Sequence, residues 1–178
     1  HENGRFTTYS TTHGLASGFV WALHEDGEGT LWIGTESGLH RLKEGRIATI
    51  GKAQGLPDNL VNFILEDNQG QLWISHDRGI YRVRRAALND VAEGRTNSVL
   101  CISYTKADGL PSEETNGQKS YPAGCKSRDG RLWFPTMKGV AVIDPKLCDR
   151  DTLAPHAAIE QLRADGEIVF DNAVVEAT

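Results

Sequence analysis

The stretch that decides the fold is GLASGFVWALHEDGEGTLWIGTESGLHRL, residues 14–42, because residues 55–83 write it again without a gap as GLPDNLVNFILEDNQGQLWISHDRGIYRV. Gly14-Leu15 returns as Gly55-Leu56, and Leu31-Trp32 returns as Leu72-Trp73, both 41 positions later. A third copy, GLPSEETNGQKSYPAGCKSRDGRLWFPTMKGVAVID at residues 109–144, keeps both ends and lengthens the middle. Self-similarity at this period is the mark of a protein built from one supersecondary unit used several times.

The local signals inside the unit are short strands joined by tight turns. Phe19 to His24 is apolar and ends at EDGEG, Thr30 to Gly34 makes a second run, Leu39 to Leu42 follows the turn TESG, and Arg46 to Ile50 makes a fourth. Four strands in about 41 residues is the size of one propeller blade. A helical repeat would need apolar spacings of three and four over ten or more residues, and Gly and Asp turns interrupt every such window. The expectation is an all-β protein with about three four-stranded blades over residues 1–150, as units at about 11–51, 52–105 and 106–148. Residues 5–9 read as the outer strand of a preceding blade. Propellers close with roughly four to eight blades, so these are expected to be the last blades of a larger ring, or to pair with other chains.

Composition excludes several classes. With 39% hydrophobic and 24% charged residues, the 178-residue chain has a globular rather than a disordered composition. A formal net charge of −5 gives no basic stripe to neutralise phosphates, so nucleic acid is not an expected partner. No apolar run approaches the roughly 18 residues that span a bilayer, and HENGRFTTYS lacks the basic and apolar regions of a signal peptide. Cys101, Cys125 and Cys148 are too scattered for a disulfide scaffold or a zinc pair, although one bridge among them would leave one thiol over.

With Gly-Leu-Pro, the Glu-Asp turn, Leu-Trp-Ile and the closing Gly-Ile or Gly-Leu in order, the repeat resembles the two-component regulator propeller repeat. The third copy is similar to that family's final blade, through ADGLPSEETNG, DGRLWF and GVAVIDP. LAPHAAIEQLRADGEIV then resembles the opening of the immunoglobulin-like, triple-tyrosine domain that follows such propellers, so residues 151–178 are expected to begin a truncated β-sandwich of this kind. Such a sandwich needs roughly seven strands, and two fit here. Ser75 and Pro135 depart from the pattern where it carries Gly. The resemblance implies a periplasmic sensor domain upstream of a transmembrane helix and a histidine kinase or cyclase. It implies a small ligand, with oligosaccharides the best-known class, and as partners the remaining blades and downstream signalling domains, with homo-oligomers compatible. It implies no cofactor and no metal.

Iterated residues are poor site candidates. Glu25-Asp26 and Glu66-Asp67 recur at one turn, where Asp accepts local backbone hydrogen bonds, whereas a catalytic carboxylate pair would be unique. DGEG and DNQG lack the ligand series of a calcium loop. His13, His24, His40, His76 and His156 share no metal spacing and read as surface or loop residues. Trp32, Trp73 and Trp133 occupy one position per blade and read as packing between blades.

Function is expected where the copies disagree. Trp21, Asn62 and Asn116 fall at one equivalent position on the innermost strand, near the channel that several blades share. An indole and two amides suit a sugar, by stacking and by bidentate hydrogen bonding. The competing reading makes Trp21 a packing group and the asparagines turn caps. The third copy's insert EETNGQKSYPAGC adds Lys119 and Tyr121 as candidates. Two rival functions remain: a propeller enzyme acting on glycans, with Glu113 and Glu114 as its carboxylates, and a scaffold that binds protein through blade edges.

Overall fold

The structure is a computed structural model that describes residues 6–115, 122–148, 161–164 and 167–171. It divides into two units, 1–145 and 146–178. The first is a row of antiparallel sheets. Blade 1 is β1 (Val20–Glu25), β2 (Leu31–Thr35), β3 (Gly38–Lys43) and β4 (Arg46–Ile50), each hydrogen-bonded to the next. Blade 2 repeats that order with β5 (Phe63–Glu66), β6 (Gln71–His76), β7 (Gly79–Arg84) and β8 (Cys101–Tyr104). Blade 3 has β9 (Cys125–Lys126), β10 (Leu132–Thr136) and β11 (Gly139–Ile143).

Three details add to the sequence reading. Residues 6–9 take no regular secondary structure, and the outer strand of a preceding blade stays an expectation. Blade 3 shows three strands among the described residues, and a short helix, α2 (Pro145–Cys148), follows β11. Blade 2 carries one helix, α1 (Arg85–Ala92), within a fold that is nearly all β as expected. Blade 1 turns from β3 to β4 over Glu44-Gly45, both at positive φ, the two-residue geometry that suits the twist of a hairpin. Blade 2 instead continues into RAALNDVA, rich in good helix formers, whose Leu88 is buried. This insertion is why Gly109 lies 54 positions after Gly55 when Gly55 lies 41 after Gly14.

The blades stack through one shared core. Trp32, Ala22, Leu39 and Ile50 of blade 1 join Val61, Ile64, Ile74, Tyr81 and Leu88 of blade 2, all nearly or fully buried. The junction is written in the backbone. Val61 N–H donates to the Thr35 carbonyl (2.9 Å), and at the next junction the Thr115 hydroxyl donates to the His76 carbonyl (3.0 Å). Each unit begins with the same device. A 3₁₀ turn (Thr11–His13, Lys52–Gln54, Lys106–Asp108) ends on a left-handed glycine, Gly14, Gly55 or Gly109, at φ from 93° to 109°. At Gly55 a Cβ would lie 2.4 Å from the Val99 carbonyl oxygen, so the position also needs the missing side chain.

In the second unit, β12 (Gln161–Ala164) and β13 (Glu167–Asp171) pair antiparallel as a hairpin. The remainder of residues 151–178 lies outside the described residues, so the immunoglobulin-like reading stays an expectation.

Candidate functional site

The repeated residues come first, because they define what the frame uses up. Asp26 is buried with every oxygen occupied: Oδ1 accepts from the backbone N–H groups of Glu28 and Thr30, and Oδ2 accepts from Trp32 Nε1 at 2.9 Å. Asp67 repeats this with Gln69, Gln71 and Trp73 Nε1 at 2.8 Å. Blade 3 substitutes a hydroxyl, and Trp133 Nε1 donates to Ser127 Oγ at 2.9 Å. Trp32 and Trp73 are fully buried. The turn carboxylate and the indole are thus one device that locks a turn to the second strand. Burial pushes the Asp26 carboxyl upward, but the Trp32 indole, the Thr30 N–H and Arg85 outweigh it and hold the group below its usual value.

Arg85, at the first position of α1, ties blade 2 to blade 1. Its guanidinium reaches Asp26 (3.1 Å), Glu28 (3.2 Å) and Glu66 (3.1 Å), and His24 Nε2 meets Glu66 at 3.1 Å. Glu66 is therefore more than a turn residue, since it carries one corner of an ionic cluster between blades. The surface reading of two histidines is also corrected. His40 is fully buried, with Thr35 and Thr49 hydroxyls at its two ring nitrogens, and His76 is 5% exposed, edge-on to Tyr81. Burial lowers the pKa of both. Each sits in a strand at a position where the other blade has a different residue, Tyr81 opposite His40 and Thr35 opposite His76, so side-chain size hid their burial.

The candidate site residues divide sharply. Trp21 lies at a β-bulge, where the register between β1 and β2 slips between Val20 and Ala22. Bulges re-aim a side chain, and here the indole is half-buried and stacks on exposed Phe19, with ring centroids 6.5 Å apart and planes at 17°. Its Nε1 is buried without a hydrogen-bond partner. The equivalent residue of blade 2, Asn62, is fully buried; its Nδ2 donates to Asp77 Oδ1 at 2.9 Å, and its Oδ1 has no partner. Trp21 is on β1 and Asn62 immediately precedes β5, and these two neighbouring inner strands pack together. Asn116, Lys119 and Tyr121 lie outside the described residues.

Near Asn62 the polar groups continue. His76 Nδ1 lies 3.8 Å from Asp58 Oδ2, and Arg78 meets the same carboxylate at 3.7 Å. Sequence reasoning missed Asp58 and Asp77; the signal was available, because blade 1 carries Ser17 and Glu36 at those positions, themselves hydrogen-bonded at 2.9 Å. Of Glu113 and Glu114, the carboxylates of the enzyme alternative, Glu113 Oε1 accepts from Lys106 N–H, and Glu114 is exposed. Among the described residues no cluster of His, Cys, Asp or Glu has the arrangement to hold a metal ion, and no helix is long and apolar enough to cross a membrane. Cys101 and Cys125 are free thiols, and burial pushes Cys101 up to about 12, which makes it a poor nucleophile at neutral pH.

Sheets of this order, stacked face to face with inner strands side by side, are the blades of a β-propeller. Residues 14–37 and 55–78 match the family described as two component regulator propeller. No curated protein matches the chain. Among solved structures, the extracellular domain of the hybrid two component system BT4673 from B. thetaiotaomicron superposes with a TM-score of 0.61 at 22% identity, over 75% of this chain and 18% of that one. The extracellular domain of the hybrid two component system BT3049 from the same organism gives 0.50 at 16% identity, over 82% of this chain and 24% of that one. This chain thus spans about a fifth to a quarter of the length of those domains, and the likeness shows the fold.

Proposed function

We propose that these blades belong to the extracytoplasmic, periplasmic sensor of a two-component receptor, and that they bind a small ligand, an oligosaccharide, whose presence is passed to a downstream kinase or cyclase. The repeats and the extracellular sensor domains of similar fold support the receptor class. The observation that carries the ligand is the bulge at Trp21. It lifts an indole out of the repeating frame onto a partly open surface beside Phe19, at a position where blade 2 needs no aromatic at all. Stacked aromatic faces suit the C–H face of a sugar ring, and the buried, unpaired Trp21 Nε1 and Asn62 Oδ1 are a donor and an acceptor that the frame leaves unused. Lys119, Tyr121 and Asn116 of the third insert complete the proposed site.

A second reading rests on the same surface. Phe19, Val20 and Leu23 are 64%, 41% and 52% exposed, whereas Val61, at the position of Val20, is fully buried against blade 1. An apolar row of that kind suits the edge of another blade. Titration of the chain with neutral oligosaccharides, followed by tryptophan fluorescence, separates the two. Trp32 and Trp73 are sealed, which leaves Trp21 and the half-buried Trp133 to respond; the response is expected to be lost in Trp21→Phe and kept in Trp133→Phe, with binding weakened about tenfold in Trp21→Ala. Oligosaccharide binding that Trp21→Ala leaves unchanged would overturn the sugar site and favour blade docking.

A further inference from the structure

A second candidate site lies away from Trp21 and Asn62, where the β3–β4 hairpin of blade 1 meets the C-terminal end of α1. The cleft there has a volume of about 600 Å³ and is lined by Arg41, Lys43, Glu44, Arg46, Ile47 and the end of α1 at Ala92 and Glu93. Three cations face two carboxylates in a chain whose net charge is −5, so the cleft is a local reversal of sign. Its floor is Arg41. That side chain is only 9% exposed, and its Nε is buried with no hydrogen-bond partner. Burying a guanidinium with an unused N–H is costly unless an anion meets it.

The anion present is Glu93. One of its oxygens accepts from Arg41 at 2.9 Å, and the other meets Arg95, which also holds Asp90. Glu93 is the C-cap of α1, the end of a helix at which a negative charge is disfavoured. Its position is explained by Arg41 and Arg95 rather than by the helix. Because Arg95 grips it independently, Glu93 has somewhere to go when it leaves Arg41.

We propose that this cleft is a carboxylate-binding site whose resting occupant is the chain's own Glu93, displaced from Arg41 when a ligand carboxylate enters. The planar fork of Arg41 suits a carboxylate rather than a point anion, and a ligand with two oxygens can also use the Nε that Glu93 leaves unpaired. Lys43 and Arg46 at the mouth draw the ligand in, and Lys43, 3.7 Å from Glu28, is free enough to turn toward it. The helix insert that blade 1 lacks thus has a role: it supplies the wall and the internal competitor of a site on its neighbour.

The test uses the full 178-residue chain and sodium glucuronate as probe, with glucose and sodium sulfate as parallel arms, read by the ¹⁵N–¹H signals of arginine Nε–Hε groups. The expected result is a saturable shift of the Arg41 signal with glucuronate and none with glucose. Glu93→Gln, which removes the competing charge but keeps its shape, is expected to tighten glucuronate binding at least about tenfold, and Arg41→Lys, which keeps charge but loses the fork, to weaken it by a similar factor. Affinity in Glu93→Gln within about twofold of the parent overturns the proposal. So does an equal response to sulfate, which would mean an unspecific anion site. The Glu93→Gln comparison decides the matter even if Arg41→Lys fails to fold.

Discussion

Blades 1 and 2 share a frame residue for residue and differ in what they place on it. Both lock a turn aspartate to a buried indole, both open with a 3₁₀ turn and a left-handed glycine, and both pair four strands in the same order. Yet Trp21 is half open on a bulge where Asn62 is sealed, His40 stands where Tyr81 does, Gly34 where Ser75 does, and a two-residue turn replaces the helix Arg85–Ala92. The difference teaches that the conserved grammar is consumed by stability. What remains for recognition is the set of positions at which one blade can change without losing its neighbour.

Truncating the frame should break this contrast most visibly. Trp73→Ala removes a fully buried indole and is expected to cost about 4 kcal/mol, whereas Trp21→Ala, outside the frame, should cost about 1 kcal/mol, both measured by urea unfolding. Equal losses would show that Trp21 is also frame. Next in size is the turn acid. Asp67→Ala strands two backbone N–H groups and the Trp73 indole, for about 3 kcal/mol, while Ser127→Ala in blade 3, at a less buried turn, should cost about 1 kcal/mol. Gly34→Ser copies the blade 2 residue into blade 1, but a Cβ there would lie 2.4 Å from Val61 Cγ1. That overpacking is expected to cost about 2 kcal/mol, and the reciprocal Ser75→Gly less.

Fold and site were legible in the sequence to different depths, for a physical reason. Repetition reveals whatever every blade needs, so the strands, the Gly-Leu turns and the packing role of Trp32 and Trp73 could be read from three aligned copies. β4 falls where the sequence placed it, at Arg46–Ile50. The helix Arg85–Ala92 could not be read that way, because an insertion has no second copy against which to be compared. Its trace was the longer spacing to Gly109 and a run of helix formers. The bulge at Trp21 and the sealing of Asn62 were hidden for a third reason: both depend on which neighbouring blade covers the strand, a contact that no single unit encodes. His40 and His76 escaped likewise, since a polar residue is read as exposed until the hydroxyls or rings around it are known.

Those two histidines give the smallest effect, one in pH rather than in stability at neutral pH. Both are held below the ordinary value of 6.5 by burial; for His76 the nearby Asp58 and Asp77 work against that and Arg78 with it. The unfolded chain therefore takes up protons near pH 6.5 that the folded chain refuses, so the stability these groups contribute is present above that value and declines as pH falls through it. Asp26, also held below its ordinary 3.8, follows the same sign further down, its contribution being lost only as the pH drops below that value. Two declines in Tm on acidification are expected, the upper one starting near neutrality. Exchanging the blades' own residues, as His40→Tyr with His76→Thr, should flatten the upper decline and leave the lower one in place. An upper decline that survives the exchange would mean that the protons enter elsewhere.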